Sequence, residues 1–307
     1  MIPFGKAVCY SGYRENQSPG SHVYPSYEEV LFDLKLLSKH FDYIRMYDPY
    51  QHAKTVLQVI EENHIPLKVM IGVEPGGEIS NPNCPWGGLH SDEEIAINKV
   101  KNYEQLDLLA SLVNKYPKIV LAAAVGNECT SEWHHNLVAP ETIAAHAKYL
   151  KSKVNCPVTF CEGSVYWLKN GKEIAKEVDF ISIHSYPLWI RVPLDKAFEA
   201  TVSDYEKNQK AYPDKQIIFT EYGWTTCADD KMNQAEANEA GQNQYLTQVF
   251  DWSNKNKITM FVFEAFDEPW KGSSNPYEPE KHWGIMDVKR QPKLFFKNYI
   301  SEKNKKV

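Results

Sequence analysis

Two glutamates stand where a carboxylate is costly to place. The run IVLAAAV (119–125) is apolar throughout, as in a strand buried on both faces, yet it exits through Gly126 onto Asn127 and Glu128. A second run, QIIFT (216–220), exits directly onto Glu221. A buried carboxylate must be paired, hydrogen-bonded or protonated. Two such groups facing one another suit the cleavage of a glycosidic bond: one holds a proton for the departing oxygen, and the other, ionised, attacks the anomeric carbon. A plainer reading also fits, in which both are held in ion pairs with Arg45 and Lys271.

The tryptophans bear on this choice. The chain has eight, and seven of them (Trp86, Trp133, Trp167, Trp189, Trp224, Trp270 and Trp283) fall in segments that follow strand-like runs, while Trp252 sits inside a helical pattern. Flat aromatic faces gathered at strand exits offer stacking surfaces for sugar rings. Trp133, Trp189, Trp224 and Trp270 are therefore expected to face one groove. Other chemistries find less support. A GxSxG nucleophile motif is missing, and no strand leads into a GxGxxG or GxxxxGK[ST] loop. His134 and His135 are adjacent, so their rings are expected to diverge at the surface, and His184 is expected to hydrogen-bond within the cleft. The six cysteines (Cys9, Cys84, Cys129, Cys156, Cys161 and Cys227) form no CxxC. Neither a disulfide, a metal nor a cofactor is expected.

These residues need a scaffold that brings strand exits together. Strand-like runs occur at 4–10, 42–47, 67–73, 119–125, 157–161, 179–184, 216–220 and 258–264. Helical patterns lie between them, at 27–40, 52–63, 92–114, 141–153, 170–177, 194–211, 234–254 and 292–302. Ser26 with Glu29 and Ser91 with Glu94 have the spacing of capping boxes at two helix starts. Alternating strands and helices favour a parallel sheet, and eight units in one chain predict a single α/β domain over 1–307, closed as a (β/α)8 barrel. A doubly wound open sheet is the alternative. In a barrel the chemistry sits at the carboxyl ends of the strands. Those exits carry Tyr10, Arg45 with Tyr47, Glu74, Asn127 with Glu128, Glu162, His184 with Tyr186, Glu221, and Glu264 through Lys271.

The segments AVCYSGYR, YIRMYD, AAAVGNE, FISIHSYPLW, IIFTEYGW and FVFEAFDEPWKG, with EKHWG beyond them, are similar to glycoside hydrolase family 17, the retaining β-1,3-glucanases, most closely its bacterial branch. The resemblance spans residues 7 to 284. It implies that Glu128 is the general acid/base and Glu221 the nucleophile, that Glu268 and Lys271 line the site, and that Tyr10 and Tyr186 are its aromatic residues. Asn127 would then bond the sugar 2-hydroxyl, with Arg45, Trp133, Trp189, Trp224 and Trp270 completing the substrate contacts. One departure from compact plant relatives is a long insertion at 74–91, EPGGEISNPNCPWGG within it. A glucanosyltransferase on the same scaffold and a non-catalytic glucan-binding barrel are the competing readings.

Composition fits this picture. The 307 residues are 43% hydrophobic and 24% charged, with a net charge of −6. An acidic balance disfavours nucleic acid and anionic membrane surfaces as partners. No apolar run reaches the roughly 18 residues of a membrane span. A β-glucan oligo- or polysaccharide is the expected partner and a monomer the expected state. The start, MIPFGKAVCYSGYR, lacks a signal-peptide pattern, which leaves a cytosolic protein or a secreted or periplasmic one whose leader has been removed.

Overall fold

The computed structural model describes residues 1–230 and 232–305. Eight parallel strands close into a barrel in sequence order: β1 (Lys6–Cys9), β2 (Tyr43–Met46), β3 (Lys68–Gly72), β4 (Val120–Asn127), β5 (Val158–Gly163), β6 (Ile181–Ser185), β7 (Ile217–Tyr222) and β8 (Met260–Val262). β1 pairs with β2 through Val8 and Ile44, and closes the ring against β8 through Val8 and Val262. The expected (β/α)8 barrel is thus the fold. Its strands are buried on both faces; Ala122, Ala123 and Ala124 of β4 are enclosed, as are Ile181 and Ile183 of β6.

The helices around the barrel are α1 (Tyr27–Leu37), α2 (Gln51–Asn63), α3 (Asp92–Lys115), α4 (Pro140–Lys151), α5 (Ser164–Asn170), α6 (Lys172–Glu177), α7 (Leu194–Ala211), α8 (Glu239–Asn256) and α9 (Leu294–Lys305). Both capping boxes form. The Glu29 carboxylate accepts from Ser26 N at 2.8 Å and Glu94 from Ser91 N at 2.7 Å, while each serine hydroxyl accepts from the glutamate's own N–H. Each cap contributes about 1 kcal/mol to holding its helix start.

Three boundaries differ from the sequence reading. The expected helix at 170–177 is α6, and an unexpected helix, α5, precedes it; the two meet at Gly171, where a Cβ would collide with the Trp167 carbonyl. Trp167 therefore lies in a helix and not in an exit loop. α8 starts at Glu239 under an Asn238 cap, five residues later than expected from 234. β8 is only three residues long, because beyond it Ala265 N turns to Cys9 O and Glu264 N to Trp283 O.

Candidate active site

Glu221 sits at the end of β7 and is almost wholly buried. Its Oε1 accepts from Arg45 Nη1 at 2.6 Å and from the Tyr47 hydroxyl at 2.9 Å. Its Oε2 accepts from the Tyr186 hydroxyl at 2.6 Å, with His184 Nδ1 at 3.6 Å. Burial alone would raise the carboxyl, but the His184 and Arg45 charges and the two tyrosine bonds outweigh it and pull Glu221 down to about 2. This group is ionised at any ordinary pH.

Arg45 is the strut that arranges the floor. It is 2% exposed and lies over the Tyr47 ring at 4.3 Å. Beyond Glu221, Nη1 donates to Thr220 O at 3.1 Å and Nη2 to Asn127 Oδ1 at 2.6 Å, so one side chain joins β2, β7 and β4. A guanidinium has no acceptor, so the oxygen of the Asn127 amide must face it. The amide NH2 is then the edge left to meet a substrate.

Glu128 directly follows β4. Its backbone is left-handed, with φ 55°, a region that a non-glycine residue seldom occupies and that marks functional positions. Its N–H is tied to Cys161 O at 2.9 Å, and its carbonyl accepts from Ser131 N at 3.2 Å. The side chain stays 20% accessible, and Oε1 lies 2.8 Å from His184 Nδ1. His184, buried on β6, is opposed by desolvation, but Glu221, Cys161 and Glu128 raise it to about 10. It holds its proton at neutral pH. One ligand-type atom each of Glu128, His184 and Glu221 lie within 4.8 Å of one another. That grouping could also take a cation, but the Glu221 oxygens are already occupied by donors and the ring is protonated, and both features oppose a metal.

The structure places the remaining predicted residues unequally. Tyr186 reaches Glu221, and of the two cations that the plainer reading pairs with the glutamates, Arg45 does so and Lys271 does not. It pairs with Glu264 Oε2 at 3.2 Å and with Glu268, in a cluster after β8. Burial and the Glu268 charge raise Glu264 well above the carboxylate range; in Glu268 the same desolvation is overcome by Lys271, which lowers it. Arg45 is enclosed and positions other side chains rather than lying open to a sugar. Tyr10 is also enclosed, with its hydroxyl on Asp33 Oδ2 at 3.2 Å, where Arg290 and Arg14 pair with the same carboxylate, so its ring is packed and offers no open face. Trp224 is fully buried, its Nε1 donating to Glu236 O at 2.8 Å and its ring against Tyr245. It faces no groove. Trp133 and Trp270 are each 37% exposed and Trp189 is partly covered by Trp283 at 6.3 Å. Trp86, on the insertion, is 64% exposed and lies 6.2 Å from Trp133 at a tilt of 58°. His134 and His135 do not diverge: their rings stack at 4.7 Å.

Tyr47 was missing from the expected contacts. Its signal was parity: Arg45 and Tyr47 sit two apart, as do His184 and Tyr186, so each pair points to the same side of its strand. Two further acids belong to the site's surroundings. Glu74, open to solvent yet walled by protein, is pushed up to about 7 by desolvation and the Asp48 charge. Glu162 is buried at the end of β5; desolvation and the Glu128 charge push it up to about 7.

The chain is similar to known proteins over most of its length. The sequence model described as BtgE/BtgC glycoside hydrolase domain matches residues 7–284. The putative glucan endo-1,3-β-glucosidase btgC of Aspergillus niger is 26% identical over 295 residues, covering 88% of this chain and 40% of the relative. The glucan endo-1,3-β-glucosidase btgC of Emericella nidulans is 24% identical over 297 residues, covering 88% and 42%. The chain thus spans about two fifths of the length of these curated relatives. Among solved structures, an endo-laminarinase from Formosa Hel1_33_131 superposes with a TM-score of 0.81 at 22% identity, covering 97% of this chain and 86% of that one. An active-site mutant of Rhizomucor miehei β-1,3-glucanosyltransferase in complex with laminaritriose gives 0.74 at 20% identity, covering 94% and 96%. At such identities these structures show a shared fold.

Proposed function

Because the chain belongs to the BtgE/BtgC glycoside hydrolase domain family, we propose that it cleaves β-1,3-linked glucan with retention of configuration, Glu221 acting as nucleophile and Glu128 as acid/base. The observation that carries this reading is the separation of the two carboxylates: an oxygen of each lies within 4.8 Å of the other. Retaining pairs stand about 5–5.5 Å apart, because the nucleophile touches carbon, whereas inverting pairs stand about 6.5–9.5 Å apart to admit water. The resemblance of the sequence motifs to glycoside hydrolase family 17, bacterial branch, supports the same assignment, and the names of the curated relatives support β-1,3-glucan as the substrate.

The steps follow from the geometry. An oxygen of Glu221, already ionised, attacks the anomeric carbon as the bond to the glycosidic oxygen breaks. Glu128 passes a proton to that oxygen, and the departing sugar leaves as a neutral hydroxyl. His184 Nδ1, 2.8 Å from Glu128 Oε1, fixes where the acid carboxyl stands. In the second step water attacks the glycosyl ester, Glu128 takes a proton from it, and Glu221 departs as carboxylate. The Asn127 NH2, fixed outward by Arg45, donates to the sugar 2-hydroxyl oxygen. Trp133, Trp189 and Trp270 supply stacking faces, with Glu268 and Lys271 at the margin of the site. The catalytic unit proposed is this one barrel domain, acting as a monomer.

A transferase reading has one support of its own. The open faces of Trp86 and Trp133 could hold an acceptor sugar in the place of water. Mass spectrometry of the products from a laminarin-type glucan separates the readings. Shorter oligomers with retained anomeric configuration are expected. Longer oligomers would make the protein a transferase, and unchanged substrate would reduce it to a glucan-binding barrel.

A further inference from the structure

Glu162 is a buried acid at the barrel mouth that the chemistry above does not use. It ends β5, next to the strand that carries Glu128, and is 1% exposed. Its two oxygens collect four donors. Oε2 accepts from Thr130 Oγ1 at 2.7 Å and Thr130 N at 3.2 Å, and Oε1 from Ser131 Oγ and Gly163 N, each at 2.7 Å. Three of these come from the turn that immediately follows Glu128.

We infer that Glu162 is a positioning residue for Glu128: it gathers the turn at 129–131 onto one buried carboxyl and so fixes where the acid/base side chain stands. This inference rests on the assignment of Glu128 as acid/base. The turn needs such an anchor because Glu128 itself has a left-handed backbone, φ 55°, which persists in a non-glycine residue only where the surroundings enforce it. The enforcement comes from both sides. Cys161 O takes the Glu128 N–H, and the next residue on β5, Glu162, holds Thr130 and Ser131. Ser131 N in turn closes on Glu128 O at 3.2 Å. Release of the turn would let the acid carboxyl drift relative to Glu221.

The anchor is also electrostatic. Facing Glu162 are Glu128 and Cys129 from the turn and Tyr166 from α5; facing Glu128 are His184 of β6, Glu221 of β7 and Glu280 after β8. Among these His184 alone is cationic, and the Glu128 charge helps hold the Glu162 carboxyl up. Both hydroxyl partners can rotate from donor to acceptor, so the cluster tolerates Glu162 with or without its proton.

The test is Glu162→Ala and Glu162→Gln in the full chain, assayed on a laminarin-type glucan and on an activated aryl β-laminaribioside, with the aryl burst as readout of the first step. An activated aryl leaving group departs without an acid, so that burst does not depend on where Glu128 stands. Glu162→Ala is expected to lose about a hundredfold in kcat on the glucan, the scale of a displaced catalytic group, with little change in KM or in the aryl burst. Glu162→Gln keeps every bond except the long one from Thr130 N. It should recover most of the glucan rate. Equal losses on both substrates in step with a lowered Tm would overturn the proposal, as would a Gln variant as slow on the glucan as the Ala variant. A wild-type protein inert on both substrates would refute the hydrolase assignment itself, and this inference with it.

Discussion

Glu221 owes its ionised state to separate donors, and each can be removed alone. The Tyr47 hydroxyl bonds the ionised form at 2.9 Å, so its removal must raise the carboxyl. A hydrogen bond to a charged group is worth about 1.5–3 kcal/mol, and a pKa unit about 1.36 kcal/mol. Tyr47→Phe should therefore lift Glu221 from about 2 by about one to two units, and the acid limb of kcat/KM should rise with it. An unmoved limb would remove Tyr47 from the network. The catalytic pair has its own signature. Glu221→Gln should abolish turnover even of an activated aryl glycoside, since no ester can form. Glu128→Gln should lose about 10²–10⁴-fold on the glucan, the usual contribution of a general acid, yet keep the first step on the aryl substrate and respond to azide in the second. Azide rescue confined to the Glu221 variant would reverse the two roles. At this scale the sequence was partly legible. Glu128 and Glu221 showed themselves because a carboxylate after an apolar run is costly. Tyr10 and Trp224 misled, because residue type and position after a strand do not say which way a side chain turns.

Strand ends and the loops beyond them decide which aromatics meet solvent. Trp224 is packed behind β7 and Trp133 stands open after β4. Trp224→Ala should destabilise the protein by about 3–5 kcal/mol, the range for a core tryptophan, and lower Tm accordingly. Trp133→Ala should leave Tm nearly unchanged while weakening oligosaccharide binding. Calorimetry of both variants beside isothermal titration with laminari-oligosaccharides checks the contrast, and a fold lost in Trp133→Ala would make that residue an anchor too. Gly223, between Glu221 and Trp224, permits this geometry, since a Cβ there would strike the Phe263 carbonyl oxygen. The elements themselves were well marked in the sequence. Ser26–Glu29 and Ser91–Glu94 encode helix starts locally, and apolar runs encode buried strands. The division of α5 from α6 and the shortness of β8 were not legible, because they depend on contacts with Trp167, Cys9 and Trp283 that are distant in the chain or set by packing.

Across the whole molecule the perturbed groups predict how stability varies with pH. Glu221 is depressed to about 2; its contribution is complete above the unfolded value of about 4.3 and is lost as pH falls toward 2. His184 is raised to about 10; its contribution is complete below about 6.5 and is lost as pH rises through 10. Glu162 and Glu74 are raised to about 7, so theirs is complete below about 4.3 and gone above 7. Desolvation lowers His40 and His134 to about 4; their contribution is complete above about 6.5 and lost as pH falls toward 4, so it offsets the loss from Glu162 and Glu74, and the sum is nearly level from about pH 4.5 to 6.5 and declines above it. Scanning calorimetry should find the highest Tm there and a lower one at pH 8; a Tm that climbs from pH 5 to 8 would contradict the signs. Glu162→Gln should flatten the decline. The closed barrel was foreseeable from eight alternating units, whereas these couplings were not, since they arise only when strand ends from distant parts of the sequence are assembled.

That assembly has a kinetic consequence through Arg45. Its partners lie 82 residues away at Asn127 and 176 away at Glu221. A partly folded chain that lacked β7 would have to desolvate a guanidinium with no counter-charge, so a half-barrel containing β2 and β4 gains no stable mouth. Closure of the last strands and completion of the site are then one event. On refolding from denaturant, far-ultraviolet ellipticity should return before any activity does, and activity should appear in the same phase as the final burial of tryptophan fluorescence.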